Sequence, residues 1–160
     1  MPRSIIAPAR RINLLPHGIV AGLLAGILID LFLFVTGAVK APGVYQFIAS
    51  TLVGKAAFGA SSYIWLGLAM HFAISVAWGA LYAVLAQRIG TAMLDRPLVS
   101  GLIYGLVVWI GMQALLYAAH VWHPPGSAVA LLISLAAHTL FFGLPIAAYV
   151  YAAVRRRRAA

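Results

Sequence analysis

Few side chains in this sequence are suited to proton or ligand chemistry, and four of them lie near the middle of long apolar runs. They are Asp30, His71, Gln113 and His138. Asp30 is one of only two acidic residues among 160. An ionisable group at the centre of a membrane is unfavourable unless it meets a polar partner, and such groups commonly handle protons or ions. We therefore expect these four side chains to form one polar layer.

Within that layer, Asp30 is expected to contact His71 or His138, because a carboxylate and an imidazole satisfy each other's hydrogen bonds. Ser75 and Ser134 lie four residues from the two histidines, one helical turn away, and extend the layer. Two interpretations follow from these residues. The layer either fixes the register of the helices or handles protons or a small ligand.

The two histidines also allow a different function. Imidazoles on facing helices are common axial ligands of haem, so His71 and His138 define an alternative in which the protein is a b-type haem electron carrier. No other cofactor and no metal site is predicted, since His120 and His123 give only two ligands and cysteine is absent. No catalytic residue is assigned, because the sequence lacks GxSxG, HExxH and P-loop motifs, and a non-enzymatic role is favoured.

Long apolar segments must position these side chains. The chain is 64% hydrophobic and 8% charged, with a mean hydropathy of +1.03, whereas a soluble domain is about 25% charged. A membrane helix needs about 20 apolar residues. The sequence therefore predicts an all-α membrane protein, a single four-helix bundle with spans at about 17–39, 61–87, 98–119 and 127–154. The shorter apolar segment at about 44–58 predicts an interfacial or re-entrant outer helix.

Small residues recur at every fourth position along the predicted spans. Such spacing places them on one helix face, where they allow the backbones of two membrane helices to approach closely. The glycines expected to pack helices in this way are Gly18, Gly22, Gly26, Gly67, Gly79, Gly101 and Gly105. Asp30 continues the first of these stripes, so a neighbouring helix is expected near it. Trp65 and Tyr82 are predicted to anchor span ends at the membrane interface, and Pro145 to kink the last span.

The basic residues indicate how the chain is threaded. Nine of the 11 Lys and Arg residues fall on one side of the four predicted spans, and only Lys40 and Lys55 fall on the other. Because basic residues near membrane helices are retained in the cytoplasm, both termini are expected there, with basic tails at 1–16 and 155–160. This predicts a multi-pass membrane protein with both termini in the cytoplasm.

A cluster of arginines directly follows the last predicted span: Arg155, Arg156, Arg157 and Arg158. Basic residues in this position commonly meet anionic lipid. The net charge of +9 does not predict a nucleic-acid partner, because no basic face with interleaved aromatic residues is present. The expected partners are the lipid bilayer and other membrane-protein subunits or a second copy, including a role as an accessory subunit of a membrane complex.

Several motifs from the second predicted span onward carry a family resemblance. They are HFAIS at 71–75 with Tyr82 following, GLIYG at 101–105, two prolines at 124–125, and HTLFFG at 138–143 before the basic tail. Over residues 60–158 this pattern resembles the YagU-like family of bacterial inner-membrane proteins. The resemblance implies an inner-membrane location and a shared role for both histidines. It implies no activity, because that family has no assigned biochemical function.

Overall fold

The structure, a computed structural model, describes residues 13–159, which form helices and contain no β-strand. Helices long and apolar enough to cross a membrane occupy Leu15–Val35, Ser62–Ile89, Pro97–Ala118 and Ala128–Arg157. The prediction of an all-α membrane protein with four spanning helices is confirmed. The observed bounds lie within a few residues of the predicted ones, because length and hydrophobicity together determine where a chain can cross a bilayer.

In chain order the helices are α1 (Leu15–Val35), α2 (Gly43–Val53), α3 (Ser62–Ile89), α4 (Thr91–Leu94), α5 (Pro97–Ala118), α6 (Ala128–His138) and α7 (Leu144–Ala159). The short outer helix expected at 44–58 is present as α2 followed by a 3-10 turn at Gly54–Phe58. A π-helical turn, Thr139–Gly143, joins α6 to α7, so these two helices form the last span together.

Local sequence features explain several of these boundaries. Proline occupies the first turn of α1 and of α5, where its missing N–H group has no helical partner to lose. Ser127 caps α6, since its hydroxyl accepts a hydrogen bond from the Ala130 N–H at 3.1 Å. Pro145 cannot donate to the carbonyl of Phe141, four residues earlier. A π-helical turn ends two residues before Pro145, and the kink predicted at Pro145 stays a prediction.

Glycine residues allow α1 and α3 to touch backbone to backbone. A Cβ atom on Gly79 would overlap the carbonyl oxygen of Gly18 and the backbone of Gly22. In the same way, a Cβ atom on Gly22 would overlap the carbonyl oxygen of Ser75. Any larger residue on this stripe would push the two helices apart.

The contact between α5 and the last span repeats this pattern. A Cβ atom on Gly143 would overlap the carbonyl oxygen of Gly101 and the backbone of Gly105. Likewise, a Cβ atom on Gly105 would overlap the carbonyl oxygen of His138. Gly101 and Gly105 of α5 thus correspond to Gly18 and Gly22 of α1.

The bundle therefore consists of two similar helix pairs, α1 with α3 and α5 with α6–α7. By these contacts Gly143 corresponds to Gly79, and His138 corresponds to Ser75. Asp30 lies eight residues after Gly22, and Gln113 lies eight residues after the equivalent Gly105. Because successive spans alternate in direction, α1 and α5 run the same way, and the two pairs have the same orientation in the bundle.

Two tyrosines fill the core between the pairs. Tyr82 is 1% exposed, and its hydroxyl lies 3.0 Å from the Ser100 hydroxyl. Tyr104 packs edge-on against Tyr82 and donates a hydrogen bond to the carbonyl oxygen of Trp78. The predicted role of Tyr82 as an interface anchor is therefore wrong, because its ring faces α5 rather than lipid. Trp65, the other predicted anchor, is 73% exposed.

Candidate functional site

Asp30 on α1 is paired with His71 on α3. Oδ2 of Asp30 lies 3.3 Å from Nε2 of His71, and the same nitrogen lies 3.1 Å from the carbonyl oxygen of Gly26. A carbonyl oxygen only accepts hydrogen bonds, so this geometry assigns a hydrogen to Nε2. Nδ1 is then the nitrogen of His71 that carries no hydrogen in the neutral ring. Of the two partners expected for Asp30, the structure brings His71 into contact.

Gly26 makes room for this pair. A Cβ atom at that position would lie 2.8 Å from the hydroxyl oxygen of Ser75 and 3.5 Å from Nε2 of His71. Ser75 itself is buried, at 3% exposure. The glycine stripe of α1 therefore lets α3 come close enough for His71 to contact Asp30, while Ser75 packs against Gly26, one turn before the acid.

Tyr45, on the short helix α2, is the third member of the group. Its hydroxyl donates a hydrogen bond to Oδ2 of Asp30 at 2.9 Å. Gly67 of α3 allows this approach, because a Cβ atom there would overlap the backbone of Tyr45. Burial and the hydrogen bond to Asp30 raise the pKa of Tyr45 to about 12. The phenol therefore stays a proton-bearing donor at neutral pH.

A cavity of about 70 Å³ lies beside this group, where the two helix pairs meet. Its polar lining comes from His71, Ser75 and His138, and the remaining described lining residues are apolar or aromatic. A cavity needs about 10–15 Å³ to hold one water molecule, so this one has room for a small cluster. Ser75 and His138 are equivalent residues of the two pairs, so the cavity lies at the interface between the pairs. Membrane proteins built from repeats often bind ions or substrates at this place.

His138 borders a second cleft as well. This cleft has a volume of about 410 Å³ and lies between the end of α1 and α6, with Thr36, Ser127 and Ser134 among its lining residues. Nδ1 of His138 donates a hydrogen bond to the carbonyl oxygen of Ser134 at 2.8 Å, which leaves Nε2 as the proton acceptor. His138 therefore lines both the inner cavity and the outer cleft.

Gln113 does not join the other three predicted members of the layer. Its Oε1 atom accepts a hydrogen bond from Nε1 of Trp122 at 3.0 Å, next to the loop between α5 and α6. The Ser134 hydroxyl likewise accepts a hydrogen bond from Nε1 of Trp109, at 3.1 Å. Gln113 holds in the second pair the sequence position that Asp30 holds in the first, but its side chain contacts Trp122 rather than the other members of the layer. The second donor to Asp30 is Tyr45 instead.

A family model matches residues 12–160 of the chain. The chain belongs to this family, a family of unknown function, DUF6789. Neither the curated proteins nor the solved structures include one that is detectably similar to it. The DUF6789 match does not link the chain to YagU-like proteins, so that resemblance stays a prediction.

The geometry of this DUF6789 protein offers the haem alternative no support. Nε2 of His71 already contacts Asp30 and Gly26. The cavity between His71 and His138 is about 70 Å³, well below the roughly 300–1,000 Å³ of pockets for drug-sized ligands. Among residues 13–159, no three His, Asp or Glu side chains are grouped to hold a metal ion. The haem function stays a prediction.

The predicted basic tails are described only in part. Arg155, Arg156 and Arg157 are exposed at the end of α7, and the Arg155 guanidinium lies 5.9 Å from the centre of the Tyr151 ring. The side chain of Arg158 and residues 1–12 of the N-terminal tail lie outside the described residues.

Proposed function

We propose that this DUF6789 protein is a small multi-pass protein of the bacterial inner membrane that binds and exchanges a proton at the Asp30–His71 pair. One observation carries the proposal: an acid, an imidazole and a phenol contact one another beside a cavity with room for water. Only one carboxylate is present in this group, so the chemistry it favours is reversible proton binding rather than hydrolysis or metal binding.

The proposed transfer uses the two nitrogens of His71 in turn. A proton reaches Nδ1 from water in the cavity, and the Nε2 hydrogen passes to the carboxylate of Asp30, which lies 3.3 Å away. The Tyr45 hydroxyl holds the same carboxylate oxygen, at 2.9 Å, and stabilises it while it carries a negative charge. The reverse transfer returns the proton to the cavity. No bond between heavy atoms forms or breaks.

His138 connects the pair to one face of the membrane. It lines both the inner cavity and the outer cleft, so its free Nε2 atom is suited to pass protons between them. The cleft lies at the end of the bundle opposite to Arg155–Arg157. Because basic residues favour the cytoplasmic side, we propose that both termini are cytoplasmic and that the cleft opens outward. A role as an accessory subunit of a larger complex stays a prediction.

Infrared difference spectroscopy tests the proposal sharply, because the chain has only two acidic side chains. The purified full chain, reconstituted in lipid, is stepped between acidic and alkaline buffer while the carbonyl stretch of protonated carboxyl groups is recorded. Asp30→Asn should abolish one band, because the amide keeps the shape of the carboxyl group and holds no exchangeable carboxyl proton. Asp95→Asn, the matched control between α4 and α5, should retain that band.

Proton binding by the same reconstituted protein is then timed by following the carboxyl band after a rapid pH jump in the outside buffer. Wild type and Asp95→Asn should show the band rise, and Asp30→Asn should show no such rise. An unchanged carboxyl band in a folded Asp30→Asn protein would show that Asp30 does not exchange a proton, and the proposal would fail. If neither variant differs from wild type in the carboxyl spectrum or its rate of change, the pair only holds the helices together.

A further inference from the structure

Another polar cleft, separate from the one beside His138, lies at the other end of the bundle, where the start of α1 meets the end of α7. It has a volume of about 260 Å³ and is lined by His17 from α1 and by Tyr149, Arg156 and Arg157 from α7. The His17 and Tyr149 rings lie 6.4 Å apart between their centres. His17 precedes Asp30 by 13 residues on the same helix, about 20 Å at the rise of an α-helix. This cleft is therefore separate from the proton site.

The spacing of residues along α7 forms the cleft. The α7 residues that line it recur at intervals of three and four, so they share one face of the helix: Tyr149, Ala152, Ala153, Arg156 and Arg157. The two alanines are small and leave space between the phenol and the guanidinium groups. Arg155, next in sequence, is not part of this lining, and its guanidinium lies over the Tyr151 ring instead.

The chemistry of the lining favours an anion. Two guanidinium groups contribute positive charge, and no acidic residue is among the described residues that line the cleft. A planar guanidinium matches the oxygen atoms of a phosphate group with paired hydrogen bonds, and the Tyr149 hydroxyl and the His17 imidazole add further donors. The cleft also lies at the end of the last apolar span, at the level where lipid headgroups meet a membrane protein.

We propose that this cleft binds the phosphate group of an anionic phospholipid, held by Arg156 and Arg157. The lipid chains then lie along the apolar surface of the bundle, and the headgroup fixes the start of α1 against the end of α7. Inorganic phosphate carries the same chemical group as the lipid headgroup and would meet the same side chains. The location at the end of a membrane span favours the lipid. This proposal does not depend on proton exchange at Asp30.

Native mass spectrometry of the purified full chain in mild detergent tests it. Phosphatidylglycerol and phosphatidylcholine are titrated separately, and the protein molecules that retain one lipid are counted. Wild type should retain phosphatidylglycerol in preference to phosphatidylcholine. Each of Arg156→Gln and Arg157→Gln should weaken that retention about fivefold, and the double variant about 25-fold. Arg155→Gln removes the same charge one residue away and should weaken it less than about twofold.

Three results would overturn the proposal. The first is equal retention of the two lipids by wild type. The second is equal weakening by Arg155→Gln and by the cleft variants, which would show attraction by the general charge of the helix end. The third uses inorganic phosphate alone as a probe: thermal stabilisation of the wild type by phosphate, lost in the double variant, without preference between the lipids, would assign the cleft to free phosphate.

Discussion

Gly79 and Gly143 occupy the same place in the two halves of the bundle. Each faces a carbonyl oxygen and the backbone of a second glycine on the neighbouring helix, Gly18 and Gly22 for one, Gly101 and Gly105 for the other. Neither glycine is needed for an unusual backbone angle, since neither has a positive φ, although Gly143 ends the π-helical turn. Their role is to let two helices touch where lipid supplies no hydrophobic force to drive association.

Gly79→Ala and Gly143→Ala should therefore destabilise the protein by similar amounts, about 1–3 kcal/mol each, because the added methyl group separates the backbones of the two helices. Unfolding by a denaturing detergent, followed by circular dichroism, measures this. Gly43→Ala at the start of α2 is the control, since a Cβ atom there meets nothing within 4 Å. A large effect at only one of the two positions would argue against equivalent halves.

The hydrogen bond from Tyr45 to Asp30 should contribute measurably to stability. Tyr45→Phe removes the donor 2.9 Å from Oδ2 and keeps the ring. Hydrogen bonds of this kind in membrane proteins contribute about 0.6–1.7 kcal/mol, and we expect a loss in that range in the same unfolding measurement. Tyr63→Phe, on a tyrosine of α3, serves as the control and should lose less.

Tyr45 also makes stability depend on pH in a defined direction. Burial and the hydrogen bond to Asp30 raise its pKa from 10.0 to about 12, so the folded protein holds this proton more tightly than the unfolded chain. The resulting stabilisation is complete below pH 10 and falls as the pH rises toward 12. Between neutral pH and this alkaline range, wild type should lose more stability than Tyr45→Phe. Equal losses would mean that the phenol is not held as described.

The properties that could be predicted from sequence are those that depend on one segment at a time. The length of an apolar run determines a span, and spacing by four residues places Gly18, Gly22 and Gly26 on one face with Asp30. The sequence also limited the partner of Asp30 to His71 or His138, because a buried acid needs a polar partner and few are present.

The properties that could not be predicted depend on how helices are rotated against one another. Tyr45 lies in a segment too short to span, and nothing local indicates that Gly67 brings it to Asp30. Gln113 has a favourable depth, but its side chain faces Trp122. The outward face of a helix does not follow from its composition when all sides are apolar.

The similarity of the two helix pairs could not be predicted from sequence either, because the spacing of their residues differs. Ser75 precedes Gly79 by four residues, whereas the equivalent His138 precedes Gly143 by five. The additional residue is accommodated in the π-helical turn Thr139–Gly143. A search for a constant spacing therefore does not match the two halves, although their backbone contacts are the same.

The proposed orientation predicts which positions react from outside the cell. The sequence has no cysteine, so a single introduced cysteine reports its own position. His123→Cys, in the exposed loop before α6, should react with a membrane-impermeant maleimide added to intact cells. Ala92→Cys, exposed in α4 at the opposite end, should react only after the membrane is opened. The reverse pattern would place both termini outside.

Two residues predicted from sequence to share one layer should differ in their effect on proton exchange. His138 lines the inner cavity and the outer cleft, whereas Gln113 contacts Trp122. His138→Phe keeps a ring of similar size and removes both nitrogens, so it should slow proton uptake from the outer side by about 100-fold, the scale of one acid–base group. Gln113→Leu should leave uptake near the wild-type rate. The measurement is the rise of the Asp30 carboxyl band after a pH jump in the outside buffer, and the final amplitude of the band shows that the acid is still present and titrating. An unchanged rate in His138→Phe would mean that protons reach Asp30 by another route. A slower rise in Gln113→Leu would instead extend the path to the end of α5 that contacts Trp122.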